Sequence, residues 1–215
     1  MFPVFGSAAD NFSKEFFMKG ILVLAAVCAA VFTLSAEEYL LPAPQKKGGI
    51  SLNEALNLRR TCRQYTAQTL SREQISQIFW SAFGVNREDG KRTAPTARNR
   101  QEITLYLLTA KGAWIYEAKA GKMVSISNKD LRKFAGRFTA PAYIVIVTNK
   151  KLLDSTHFAD IDTGYVSQNI YLACAGLKLG TCAIGRIPDS KALALELRLT
   201  DAERVQLTHS VGVPK

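Results

Sequence analysis

The 215-residue chain is short of the side chains that most enzymes use for acid–base and metal chemistry. It has two histidines, His157 and His209, and nothing near either completes a paired ligand spacing. No Cys-x-x-Cys occurs, which excludes the common zinc and dithiol motifs. Also missing are a Gly-x-Ser-x-Gly elbow, a Ser/His/Asp set, a Walker loop and a Gly-x-Gly-x-x-Gly turn. No pair of acid/base carboxylates can be singled out. The expectation is therefore no metal and no catalytic side chain of its own. ATP and a tightly held dinucleotide also have no obvious home.

Long hydrophobic runs are scarce too. One stands near the start, Gly20 to Phe32, after Met18-Lys19 and before Thr33-Leu34-Ser35-Ala36. A basic residue, an apolar run shorter than the roughly 20 residues of a spanning helix, and a small-residue site make a secretory signal peptide. The reading places cleavage after Ala36, with Met18 as initiator and residues 1–17 as an upstream extension. Val27 before Cys28 fits a lipoprotein site poorly. The expectation is an exported, periplasmic protein with no membrane span left after cleavage. Three cysteines then remain, Cys62, Cys174 and Cys182. They allow one disulfide and require none, and Cys174, in an apolar helical run, reads as core.

What the chain has in excess is positive charge. The net charge is +10, and the first 36 residues contribute none of it, because Lys14 and Lys19 offset Asp10 and Glu15. No nucleic-acid motif accompanies the charge, so phosphate-bearing small molecules are the better partner class. The densest cluster is Arg59-Arg60-Thr61-Cys62-Arg63-Gln64-Tyr65, at the end of a short helical run from Ser51 to Leu58. Guanidinium groups bind phosphate in paired, fork-like hydrogen bonds. By itself the cluster reads equally as an anion grip or a solvated helix end.

The rest reads as α+β. Residues 37–50, with Pro42, Pro44 and Gly48-Gly49, form an extended arm, and residues 51–215 form one domain. Ser71-Arg72-Glu73-Gln74 resembles a capping box opening a helix that ends at Gly84. Asn86 to Arg100 is a long polar loop. Strands are expected at Ile103–Leu108, Ala113–Ala118, Met123–Ile126, Ala142–Thr148, Cys182–Gly185 and Gln206–Val213. The run Ala142–Thr148 is continuous and β-branched, as in a strand covered on both faces. Helices are expected at 128–135, 160–179 and 190–197, with Gly180 ending the long one. On that helix Ile161, Tyr165, Gln168 and Leu172 fall near one stripe, and its small residues suit close packing in the core or against a second subunit. The sheet is expected to have four or five strands.

Four segments in order resemble the FMN-dependent nitroreductase family, in the branch that includes thiazoline- and oxazoline-forming peptide dehydrogenases. They are Arg59–Tyr65, Ala94–Gln101, the run Gln168–Cys182, and Val211-Gly212-Val213-Pro214-Lys215. Together they cover nearly all of 51–215. The resemblance implies a mostly antiparallel sheet flanked by helices, a homodimer built on the long helix, and two FMN sites made by both chains. It implies Arg59, with Arg60 and Thr61, at the FMN phosphate, and Arg63 at the redox edge of the ring. Pro95, Thr96, Ala97 and Asn99 would come from the partner chain, and Ala183, Ile184 and Gly185 would lie against the other ring face. NAD(P)H is the implied donor and nitroaromatics or quinones the implied acceptors, in a ping-pong cycle. Export leaves two alternatives, a flavin dehydrogenase or oxidase passing electrons to oxygen or quinone, and a non-catalytic flavin-binding module. Thr61 and Thr96 replace the family's usual serines. The family often carries basic phosphate ligands after its Gly-x-Pro, and here Lys215 stands at that point and reads as a frayed end.

Overall fold

The computed structural model describes residues 37–215, and the signal-peptide segment lies outside the described residues. Strand β1, Glu38–Leu40, opens the chain. Helix α1, Leu52–Leu58, and helix α2, Arg72–Phe83, follow. Then come β2 (Ile103–Thr109), β3 (Gly112–Glu117) and β4 (Lys122–Ser127). Helix α3 is Arg132–Ala135, β5 is Ala142–Asn149 and α4 is Thr156–Gly176. Strand β6 (Gly180–Ile184), helix α5 (Ser190–Glu196) and β7 (Glu203–Gly212) complete the order.

The seven strands form one sheet in the order β1-β4-β3-β2-β5-β7-β6, and every pairing is antiparallel. That exceeds the four or five strands expected. The arm adds β1 at one edge, because Glu38–Leu40 hydrogen-bonds to Val124–Lys122. The rest of the arm runs along α2. Ser76 Oγ donates to the Pro42 carbonyl at 2.5 Å, and Gln45 N–H donates to Gln77 Oε1 at 2.8 Å.

Strand β5 sits between β2 and β7 with both faces covered. Its Ile144 and Ile146 enter a core with α2, α4, Leu105 and Phe79. Its Tyr143, Val145 and Val147 enter a second core with Tyr65, Leu131 and Leu193. The period of two along the strand divides the sheet into these layers. Ser71 caps α2 as the sequence suggests, with reciprocal bonds to and from Gln74.

Two local expectations change. The helix expected at 128–135 keeps only its last turn, since Asp130 accepts from Arg132 N–H and holds the entry as a turn. The long helix stops at Gly176, and Lys178 takes the left-handed turn (φ 57°), not Gly180. Gly180 instead begins β6. A Cβ there would lie 2.6 Å from Cys62 Cβ, so glycine lets the arginine-rich segment touch the strand.

Candidate functional site

Residues 59–66 run as an extended ribbon along the free side of β6. Thr61 forms a parallel bridge to Thr181, and Cys62 N–H donates to the Thr181 carbonyl at 2.9 Å. Tyr65 then bridges Pro214, and Thr66 N–H donates to the Val213 carbonyl. The buried Tyr65 hydroxyl pairs with the Cys62 carbonyl and with Ser210 Oγ. Burial pushes its phenol well above the ordinary value, so it acts as a neutral tie. The same stitching corrects the reading of Lys215. Its N–H donates to the Gln64 carbonyl at 3.2 Å, so the residue is not frayed.

Ribbon, α4 and chain end enclose a cavity of about 700 Å³. Arg60, Arg63, Lys178 and Lys215 line it with Thr61, and no carboxylate side chain does. Four cations around an acid-free space match an anionic ligand.

Arg59 does not line the cavity, but its guanidinium lies 5.2 Å from the centre of the ring of Tyr171, which does. Thr61 Oγ1 is 3.3 Å from the Tyr171 hydroxyl, and that hydroxyl accepts from Ala183 N–H at 3.0 Å. Tyr171 thus joins Arg59, Thr61 and Ala183, three residues singled out in the sequence. Tyr171 itself gave no sequence signal, because its role depends on α4 crossing the ribbon and β6.

Behind Tyr171 stands His209, fully buried, with the two rings edge to face at 5.3 Å. His209 Nε2 pairs with Ser167 Oγ at 2.8 Å and Nδ1 with Thr181 Oγ1 at 3.0 Å. Burial lowers its pKa to about 3, so the imidazole is neutral and structural. His157 is exposed in the first turn of α4. Among the described residues no group of three His, Cys, Asp or Glu could hold a metal ion. The three cysteines are free thiols, and Cys174 is in the core.

Ala183 and Ile184 end β6 and, with the following Gly185, line a smaller cavity of about 270 Å³, which Arg63 also lines. Arg60, Thr61 and Arg63 are therefore brought together with this strand end, and Arg59 is held to them through Tyr171.

Pro95, Thr96, Ala97 and Asn99 are not brought to this place within one chain. Ala97 N–H donates to Asp162 Oδ2 at 2.8 Å. Asp162 and Tyr171 are nine residues apart on α4, about 13 Å along its axis. The loop is nonetheless firmly shaped. Arg98, Asn99 and Gln101 all have positive φ, an arrangement that costs free energy at each non-glycine residue. Bonds hold it: Gln101 N–H to Thr96 Oγ1, Arg98 to Asp154, and Arg92 to Gln101 Oε1. Beneath it Glu102 is buried, and both its carboxyl oxygens lack a partner. Burial, with Asp162 nearby, raises its pKa to about 7.

Helix α4 buries a polar face, Asp162, Thr163 and Ser167 among Val166, Ile170 and Cys174. Asp162 serves the loop and Ser167 serves His209. The apolar stripe consequently faces outward, with Ile161 38% and Tyr165 47% exposed. Leu52 and Leu56 of neighbouring α1 are exposed as well.

A model of the nitroreductase family matches residues 56–213. A Methanocaldococcus jannaschii protein named as a candidate nitroreductase is 26% identical over 162 residues, spanning 66% of this chain and 82% of that protein. A crystal structure of a candidate nitroreductase from Ralstonia eutropha superposes with a TM-score of 0.79 and 28% identity, covering 85% of this chain and 91% of that one. A candidate nitroreductase from Desulfovibrio desulfuricans, solved in complex with FMN, shares the fold with a TM-score of 0.59 and 19% identity. It covers 78% of this chain and 88% of its own.

Proposed function

The chain belongs to the nitroreductase family, and from that premise we propose that it is an FMN-dependent oxidoreductase. The observation that carries the proposal is the cavity lined by the cations Arg60, Arg63, Lys178 and Lys215, and by no Asp or Glu side chain, beside the end of β6. The donor set fits FMN, whose phosphate needs cations and whose ring needs a flat wall of small residues. In this reading Arg60, Lys178 and Lys215 hold the phosphate, with Arg59 fixed over Tyr171 at its margin. Arg63 stands at the redox edge of the ring, where a permanent cation favours developing negative charge. Ala183, Ile184 and Gly185 form the wall, and Tyr171 fixes Ala183 against the ribbon.

When bound, FMN supplies the two-electron chemistry. The protein's side chains then need only bind, orient and exclude water. That agrees with a neutral, buried His209 and a cavity lined by no Asp or Glu side chain. The proposed reaction takes a hydride from NAD(P)H and delivers it to a nitroaromatic, quinone or similar small acceptor. The donor leaves before the acceptor enters the same slot.

The loop at 95–99 supports a homodimer in this reading. A two-fold axis near the middle of α4 would pair its exposed apolar stripe with a second copy. It would carry the loop of one chain, at the Asp162 end, to the Tyr171 end of the other. The proposal also retains export to the periplasm. Among the described residues no helix is long and apolar enough to cross a membrane.

Purified protein is expected to be yellow, or to turn so on adding FMN. Mixing it anaerobically with NADH or NADPH should bleach the visible band. A protein that stays colourless with excess FMN removes the redox reading. A yellow protein that neither nicotinamide bleaches turns the reading to an oxidase or dehydrogenase with another donor.

A further inference from the structure

We propose that the cavity at the end of β6 selects substrates bearing a carboxylate, through Arg137 and Arg186. The inference rests on the flavin reading of Ala183–Gly185, since these residues form one wall of that cavity. Arg63, Arg137 and Arg186 all line a space of about 270 Å³, and no Asp or Glu does. Among the described residues none of the three is in an ion pair, whereas Arg98, Arg100 and Arg132 each have an aspartate. Like charges gathered around one small cavity repel, and an anion placed among them removes that cost.

The turn that carries Arg137 is held by bonds of its backbone, while the Arg63, Arg137 and Arg186 side chains are exposed at the rim of the space. Thr208 Oγ1 donates to the Ala135 carbonyl at 2.7 Å. Phe138 N–H donates to the Tyr143 hydroxyl at 3.1 Å, which in turn donates to the Phe138 carbonyl at 2.6 Å. A Cβ on Gly136 would sit 2.4 Å from Tyr143 Cε1 and 2.8 Å from Ile184 Cδ1. The turn therefore rests directly on β5 and β6, and its arginine is set beside the wall. Burial raises the pKa of the Cys182 thiol, and the nearby Arg63 and Arg137 offset part of that rise.

The division of labour follows from position. Arg63 also lines the larger cavity and is committed to the cofactor. Arg186 lines only the smaller one, Arg137 and Phe138 also border a third cavity of about 420 Å³, and the Arg137 guanidinium lies 5.7 Å from the centre of the Phe138 ring. An aromatic ring with a carboxylate suits this set, with the carboxylate on the guanidinium forks and the ring against the edge of Phe138.

The test uses FMN-loaded protein and two redox-inert probes of equal size, benzoate and benzamide, read by perturbation of the visible flavin band. Benzoate should bind at least about tenfold more tightly than benzamide, the scale of a charge-assisted hydrogen bond. In the Arg137→Gln/Arg186→Gln protein the preference should fall to within about twofold, and Arg137→Lys with Arg186 intact should keep part of it. Equal binding of the two probes by the native protein overturns the inference, as does a preference that survives the double substitution. A protein that takes up no FMN overturns the functional reading and this inference together. A flavin-bearing protein without anion preference overturns only the inference.

Discussion

Tyr171 is the residue on which the arginine ribbon, the long helix and the end of β6 meet. Its hydroxyl serves Thr61 and Ala183 N–H, and its ring lies under Arg59. Tyr171→Phe keeps the ring and removes the hydroxyl, leaving Ala183 N–H without its acceptor. We expect FMN affinity to fall about three- to tenfold, with about 1 kcal/mol lost in stability. Flavin fluorescence titration and urea denaturation measure the two effects, and unchanged affinity would move the organising role elsewhere. His209, beneath it, gives a pH dependence of known sign. Its folded pKa is depressed to about 3, against an ordinary value near 6.5. The stabilisation from the neutral imidazole is fully present above about pH 6.5 and is lost as pH falls toward 3. Between pH 6 and 4 this amounts to about 1.4 kcal/mol per pH unit. His209→Gln should remove that part of the slope, and equal slopes in native and variant protein would contradict a neutral buried His209.

At the scale of elements, the sequence was most informative where the physics is local. The capping box at Ser71, the apolar run of β5 and the helical periodicity of α2 all follow from neighbours within four residues. Ser71→Ala should therefore cost about 1 kcal/mol through the lost bond from Gln74 N–H to the Ser71 hydroxyl, measurable by chemical denaturation without a change in flavin content. Long-range pairing was not legible. Strand β1 consists of three residues with no alternating pattern, and only its partner β4 makes it a strand. The role of Gly180 was misread for the same reason. Its neighbours in sequence suggest a helix stop, while its neighbour in space is Cys62. The arginine ribbon read equally as an anion grip or a solvated helix end, and which of its arginines line the cavity could not be read from order alone. Lys178 carried no signal, because its cavity-facing position follows from the left-handed turn after α4.

For the whole molecule, the outward stripe of α4 and the distant loop at 95–99 raise one question, whether two chains make each site. Ile161→Asp places a charge on the exposed stripe without touching the core of its own chain. Light scattering after gel filtration should show a monomer in place of a dimer. The same sample should lose most of its FMN, because the loop of the second copy is gone. A variant that stays dimeric, or a monomer that keeps full flavin, would refute a shared site.

The ribbon at 59–66 is stitched to β6 and to the Val213–Lys215 end of the chain, and this has a consequence for biogenesis. A ribosome releases Gln64 roughly 150 residues before Lys215, its partner in the cavity wall. The pocket therefore cannot close until the Val213–Lys215 segment has left the ribosome and paired with the ribbon. On the FMN reading the cofactor enters only after that segment has docked, so the supply of flavin in the compartment of folding would set how much of the protein is loaded.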